Sequence, residues 1–192
     1  PGAVTVETSD MLPTAGINDL RDASRYVPNL VLSDFTVRRL SFPYIRGIGS
    51  GRNSPAVTTV IDGVPQLSYA TANQQMLDVE RIEVLRGAQG ALYGRNAMGG
   101  VINIVPDLPS REPELSVTMS GGSFGLMEGR LSGEGPLGQG GIAGSISAGY
   151  ARRDGYTEND LTGNSLDDRE AYFGRIQVVW PEAGKWNFRL GI

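Results

Sequence analysis

The chain contains no cysteine and no histidine in its 192 residues. Without cysteine there is neither a disulfide framework nor a thiolate metal site. Without histidine the commonest general base, the commonest metal ligand and every histidine-based triad are excluded. Basic charge is not in excess, since the formal net charge is −4, so nucleic acid is not an expected partner. No run of about 18 apolar residues occurs, so no transmembrane helix is coded. Strands of a membrane barrel stay open, because they carry only a weak alternating signal. Pro1 is not followed by a charged and then an apolar leader region, so the chain reads as a mature chain or an excised piece. Asp62, Asp78, Glu80 and Glu83 read as scattered surface carboxylates with no acid–base spacing, and neither an enzyme nor a cofactor is expected.

What is abundant is glycine, 27 residues against 40% hydrophobic content, which suits a turn-rich β protein. The densest stretch is 80–105, ERIEVLRGAQGALYGRNAMGGVINIV. Ile82, Val84 and Leu85 form a strand-like run bracketed by Arg81, Glu83 and Arg86. A helix-capable segment, Ala88 to Tyr93, lies between Gly87 and Gly94. The Gly99–Gly100 pair then opens a β-branched run, Val101 to Val105. Strand, tight turn, short helix, glycine pair and strand make a small α+β unit with very short connections.

Upstream, Val4 and Val6 alternate with polar residues as a short strand, with Ser9 and Asp10 offering a cap for a brief turn. Asn18 is placed to cap a helix carrying Leu20, Ala23, Tyr26 and Val27, which Pro28 ends. The glycines of Arg46 to Arg52 could be mistaken for a phosphate cradle. Pro55 and then the β-type run Val57 to Ile61 follow, where a dinucleotide fingerprint needs a helix. Val60 to Pro65 reads as a strand ending in an Asp62-Gly63 turn. Residues 66–76, QLSYATANQQM, read as an exposed loop.

The stretch 80–105, together with YIRGIGSGR (44–52) and VTTVIDGVPQ (57–66), resembles the plug domain of TonB-dependent outer-membrane receptors. The resemblance implies an α+β plug, a small mixed sheet with short helices, over residues 1–108. It implies that Arg46 and Arg86, the arginines of the IRG and VLRG motifs, lock the plug to glutamates on the inner wall of a barrel. Planar guanidinium forks suit such bidentate pairs. Gly47, Gly63, Gly87, Gly94, Gly99 and Gly100 are the motif glycines, for turn geometry and close packing. Gln66, Tyr69, Asn73 and Gln74 would face the ligand from an apex loop. The TonB box that the family carries ahead of the plug is not found before Pro1.

PDLPSREP at 106–113 marks a change of character. Beyond it apolar and polar residues alternate with period two. Leu115, Val117 and Met119 begin the series, followed by Met127 to Leu131, Ile142 to Tyr150, Tyr172 to Trp180 and Trp186 to Ile192. The connections at 136–141 and 181–185 are short, while 154–169 is long and hydrophilic, as in bacterial barrels. Trp180 and Trp186 would flank one short turn as part of an aromatic girdle. The acidic residues Asp154, Glu158, Asp160, Asp167 and Asp168 lack the order of a calcium loop and read as a solvated outer loop, with no metal. Residues 109–192 are thus expected to be antiparallel strands of an incomplete transmembrane β-barrel. Four strands and the start of a fifth cannot close a barrel that needs about 8 or more, so the chain is expected to be a fragment.

The function that the resemblance implies is active uptake of a scarce nutrient, such as a ferric siderophore, through the outer membrane of a Gram-negative bacterium. The implied partners are the TonB energy-coupling protein, outer-membrane lipid and the nutrient itself. The alternative is a soluble periplasmic binding or signalling module, because a soluble antiparallel sheet with one wet face alternates in the same way.

Overall fold

The computed structural model describes residues 3–35, 37–49, 55–66, 75–94, 96–138, 140–180 and 189–191. They fall into two compact units, Pro1–Asp107 and Leu108–Ile192. No helix among the described residues is long and apolar enough to cross a membrane.

The first unit is built on a mixed sheet of β1 (Ala3–Thr8), β5 (Val57–Ile61), β6 (Val64–Pro65), β7 (Val79–Arg86) and β8 (Gly100–Pro106), in the order β1-β7-β8-β5-β6. The pair β5–β8 is parallel and the others are antiparallel. Central β8 carries apolar residues on both faces, with Val101 and Ile102 both fully buried and Asn103 its one polar residue. That is why GVINIV reads as an apolar run broken only at Asn103 rather than as an alternating one. On one face Ile82, Val84, Ile102 and Ile104 join a core with Leu12, Leu20, Ala23 and Ile45. On the other, Val60 and Val101 pack with Ala97, Leu85 and Tyr93. Each such aliphatic side chain contributes about 1.5–3 kcal/mol when removed from water.

Two short helices serve the larger core, α1 (Met11–Thr14) and α2 (Leu20–Ser24). Leu20, Ala23 and Val27 recur at helical spacing and are buried. The cap is Asp19, a correction to the expected Asn18. The Asp19 side chain accepts from the backbone N–H of Asp22 at 3.0 Å, while Asn18 donates its own N–H to Asp22 Oδ2 at 3.2 Å. Asp19 and Asp22 thereby satisfy the first turn between them, Asp22 also accepting from the N–H of Asn18. The helix is also shorter than expected and ends before exposed Tyr26, whose hydroxyl donates to Ala15 O at 2.9 Å. A separate three-stranded sheet, β2 (Leu30–Phe35), β3 (Val37–Ile45) and β4 (Ile48–Gly49), completes the unit. A one-turn helix, α3 (Gly90–Tyr93), lies between β7 and β8.

The second unit is an antiparallel meander of β9 (Glu114–Gly122), β10 (Leu126–Pro136), β11 (Ala143–Arg153), β14 (Arg169–Val179) and β15 (Arg189–Gly191). The hydrophilic loop between β11 and β14 carries a small hairpin, β12 (Thr157–Glu158) and β13 (Ser165–Leu166). Strands β10, β11 and β14 are each 11 residues long, against about 9–11 for a tilted membrane strand. The register sorts the side chains into two unlike faces. Val117, Leu131 and Ala148 align, as do Ile146 with Ile176 and Tyr150 with Tyr172. No charged residue enters this face between the row Gly144–Val178 and the row Arg152–Glu170. It is nonetheless bare: Met119 is 83% exposed and Tyr172 77%. The opposite face carries Ser132, Ser147 and Arg175 in one row and Glu134, Ser145 and Gln177 in the next. Ser145, Ser147 and Gln177 are buried. A sheet with an uncharged apolar face exposed and polar residues buried on its other face is the reverse of a water-soluble sheet.

Candidate functional site

The glycine motifs of the first unit meet at Gly99. Its N–H donates to Ala56 O at 2.7 Å, just ahead of β5, and its carbonyl accepts from Gly87 N–H at 3.0 Å, just past β7. A side chain at Gly99 would crowd Ile48 of β4. One residue on, a Cβ at Gly100 would collide with the carbonyl oxygen of Leu85 and with Ile45. The glycine pair is therefore the place where β3–β4, β5, β7 and β8 come within backbone distance of one another. Thr58 Oγ1 donates to Asn96 O at 2.8 Å and Gln89 N–H to Ala97 O at 2.8 Å, which holds the connection between β7 and β8 on the sheet.

Arg46 and Gly47 form the two-residue turn between β3 and β4, with φ of 53° and 79°. Asp62 and Gly63 do the same between β5 and β6, at 53° and 76°. Both central residues at positive φ is the requirement of a type I′ hairpin turn. Asp tolerates that conformation and arginine is a poor choice for it, so the strained position is what presents the exposed Arg46 side chain from the hairpin tip. No carboxylate among the described residues pairs with Arg46.

Arg86 ends β7 half-buried. Its Nη1 donates to Pro28 O at 3.2 Å and its Nη2 to Thr5 Oγ1 at 3.1 Å, while buried Nε has no acceptor. These bonds tie β7 to β1 and to the turn after α2, and again no carboxylate of the described residues is within reach. The two motif arginines are thus placed differently, one projecting and one clamped. Gly87 and Gly94 both take positive φ at the ends of the α3 connection. Gln66 is half-buried and its side-chain amide donates to Val64 O at 3.1 Å. Tyr69, Asn73 and Gln74 lie outside the described residues, as does Trp186.

One constellation was not legible as such in the sequence. Glu80 and Glu83, read as scattered, are joined by Arg81, whose Nε donates to Glu83 Oε1 at 2.6 Å and whose Nη1 donates to Glu80 Oε1 at 2.5 Å. Asn103 on the neighbouring strand donates to Glu83 Oε2 at 2.9 Å. The Asn103 amide, first, and the Arg81 guanidinium hold the Glu83 carboxyl below the usual carboxylate range, and Arg81 is raised by the same bond. The spacing of Arg81 and Glu83, two apart on one strand face, was the available signal. The pairing with Asn103 depends on the β7–β8 register. Among the described residues no group of carboxylates is disposed to hold a metal ion.

Residues 1–101 match the TonB-dependent Receptor Plug Domain family. The pesticin receptor of Yersinia pestis is 33% identical over 186 residues, 95% of this chain and 28% of the receptor. The ferripyoverdine receptor of Pseudomonas aeruginosa is 27% identical, covering 83% of this chain and 20% of its own length. Among solved structures, the ferric yersiniabactin uptake receptor of Yersinia pestis superimposes with a TM-score of 0.91 at 30% identity, over 99% of this chain and 30% of that one. The chain spans less than a third of the length of these relatives.

Proposed function

Because this chain belongs to the TonB-dependent outer-membrane receptors, we propose that it forms the plug and the first wall strands of a receptor that takes up a ferric siderophore or a similarly scarce nutrient. The plug occupies 1–108 and the wall begins at 109. The observation that carries the reading is the reversed second sheet, apolar and bare on one face and polar on the other, following a plug in the same chain. A soluble periplasmic module would have to keep Met119, Ile146, Tyr172 and Ile176 in water, and nothing in the register favours that.

The work is binding and gated passage, with no covalent chemistry. Ligand meets the apex loop, Gln66 with Tyr69, Asn73 and Gln74. Arg46 and Arg86 hold the plug through carboxylates of the barrel wall, with Arg86 already fixed in direction by Pro28 and Thr5. TonB draws on the segment that the family carries ahead of the plug, and the plug is displaced or remodelled. The ferric siderophore class comes from the names of the relatives, two of which are receptors for ferric chelates.

The test is uptake of radioiron presented as a panel of ferric siderophores to iron-starved cells whose receptor carries this chain. Accumulation that needs both the receptor and an intact TonB supports the reading. Equal accumulation with and without TonB would overturn it.

A further inference from the structure

The apolar face of the second unit is not evenly clad. At its short-turn end lies an open groove of about 540 Å³. Its walls are Leu137, Ile146, Ile176 and Val178, and its floor is backbone at Gly133 and Gly144. The side chains that would fill it are absent. Gly135 stands opposite Gly144 and Gly133 opposite Ile146 in register, so three glycines cluster in two neighbouring rows, where the other glycines of this face, Gly121, Gly129 and Gly174, stand singly among Leu, Val, Met, Ala and Tyr. Leu137, from the turn after β10, leans over Gly144, so the groove has a roof at one end.

A depression of this kind in an apolar wall cannot be left empty cheaply, because its lining loses dispersion contacts on one side. Water does not fill it well either, since a water needs two to four polar partners and the walls named here are aliphatic. The groove is continuous with the uncharged face that the proposed function places against the bilayer. Its occupant should therefore be flexible, aliphatic and drawn from that bilayer. We propose that this groove is a binding site for one acyl chain of a phospholipid in the leaflet on the short-turn side. The inference rests on the membrane reading given above. A phospholipid seated here has one tail held between β10, β11 and β14 rather than exchanging freely with the lipids around it.

The test compares two substitutions of the same size on the same strand and the same face. Gly133→Leu puts a side chain into the groove, where a Cβ meets only Leu115 and the Glu114 carbonyl oxygen, both at ordinary contact distance. Gly129→Leu adds equal bulk outside it, where a Cβ meets nothing within 4 Å. The receptor that carries this chain is reconstituted in vesicles of palmitoyl-oleoyl phosphatidylethanolamine and phosphatidylglycerol and floated on a density gradient. It is then moved to mild detergent, and phospholipid retained per chain is read by native mass spectrometry. Retention should fall about tenfold in G133L, the value of burying roughly two methylene groups, and stay at the wild-type level in G129L. Failure of the wild-type receptor to float overturns the membrane reading itself. Flotation with equal retention in wild type and G133L, or equal loss in both variants, overturns the acyl-chain site while leaving that reading in place.

Discussion

Arg46 occupies a backbone conformation, φ 53°, that asparagine or glycine adopts more readily. Holding a non-glycine residue there costs on the order of 1 kcal/mol, a kind of strain that collects at functional positions. Arg46→Asn is therefore expected to raise the stability of the first unit by ~0.5–1 kcal/mol, read by denaturant unfolding, while reducing nutrient uptake by the receptor. An uptake rate unchanged in Arg46→Asn would remove Arg46 from the lock. Glu83 gives a pH signature of known sign. Its carboxyl is held below its ordinary value of 4.5 by Asn103 and Arg81. The stabilisation is complete above the unfolded value and is lost as the pH falls through the lower, folded one. Glu83→Gln should flatten the fall in stability of the first unit below about pH 4.5, a comparison made by thermal melts across an acid series.

Gly100 makes the corresponding case among the elements. It joins β8 to the node at Gly99, and any Cβ there meets the Leu85 carbonyl, a backbone atom that cannot turn aside. Gly100→Ala is expected to destabilise the first unit by about 3 kcal/mol or more through overpacking and strain, whereas Gly90→Ala, with open space around it, should change it little. A thermal melt that moves equally for the two variants would show that glycine at 100 is a matter of chain flexibility and not of close approach. Much of this architecture was legible in the sequence. The β-branched runs at 57–61 and 101–105, the Asp62-Gly63 turn and the period-two strands beyond 113 appear as strands and turns where their patterns lay. What was not legible depended on register or on competition between neighbours. Asn18 and Asp19 are both good caps, and only the geometry of Asp22 selects the second. The Glu83–Asn103 bond and the grooved part of the apolar face arise from which residues stand opposite one another, a fact that no single strand contains.

For the molecule as a whole, the two units differ in the solvent they are made for. The connection 107–113 between β8 and β9 is exposed at 111–113, and Arg111 within it is open to protease. Trypsin without detergent should cut first after Arg111, leaving a piece of the first unit that resists further digestion, with fragment masses as the readout. First cuts inside β7 would instead mean that the plug sheet does not hold in water. The two units also differ in how far their chain must travel to close. Every pairing of the five-stranded meander joins neighbours in sequence within that sheet. The first unit closes only when Ala3 finds Arg86 and Thr8 finds Arg81. Loop-closure entropy must be met before such distant pairings return anything. Strand β1, an edge strand with β7 as its one neighbour in the sheet, is accordingly expected to be the last piece of this sheet to dock during folding.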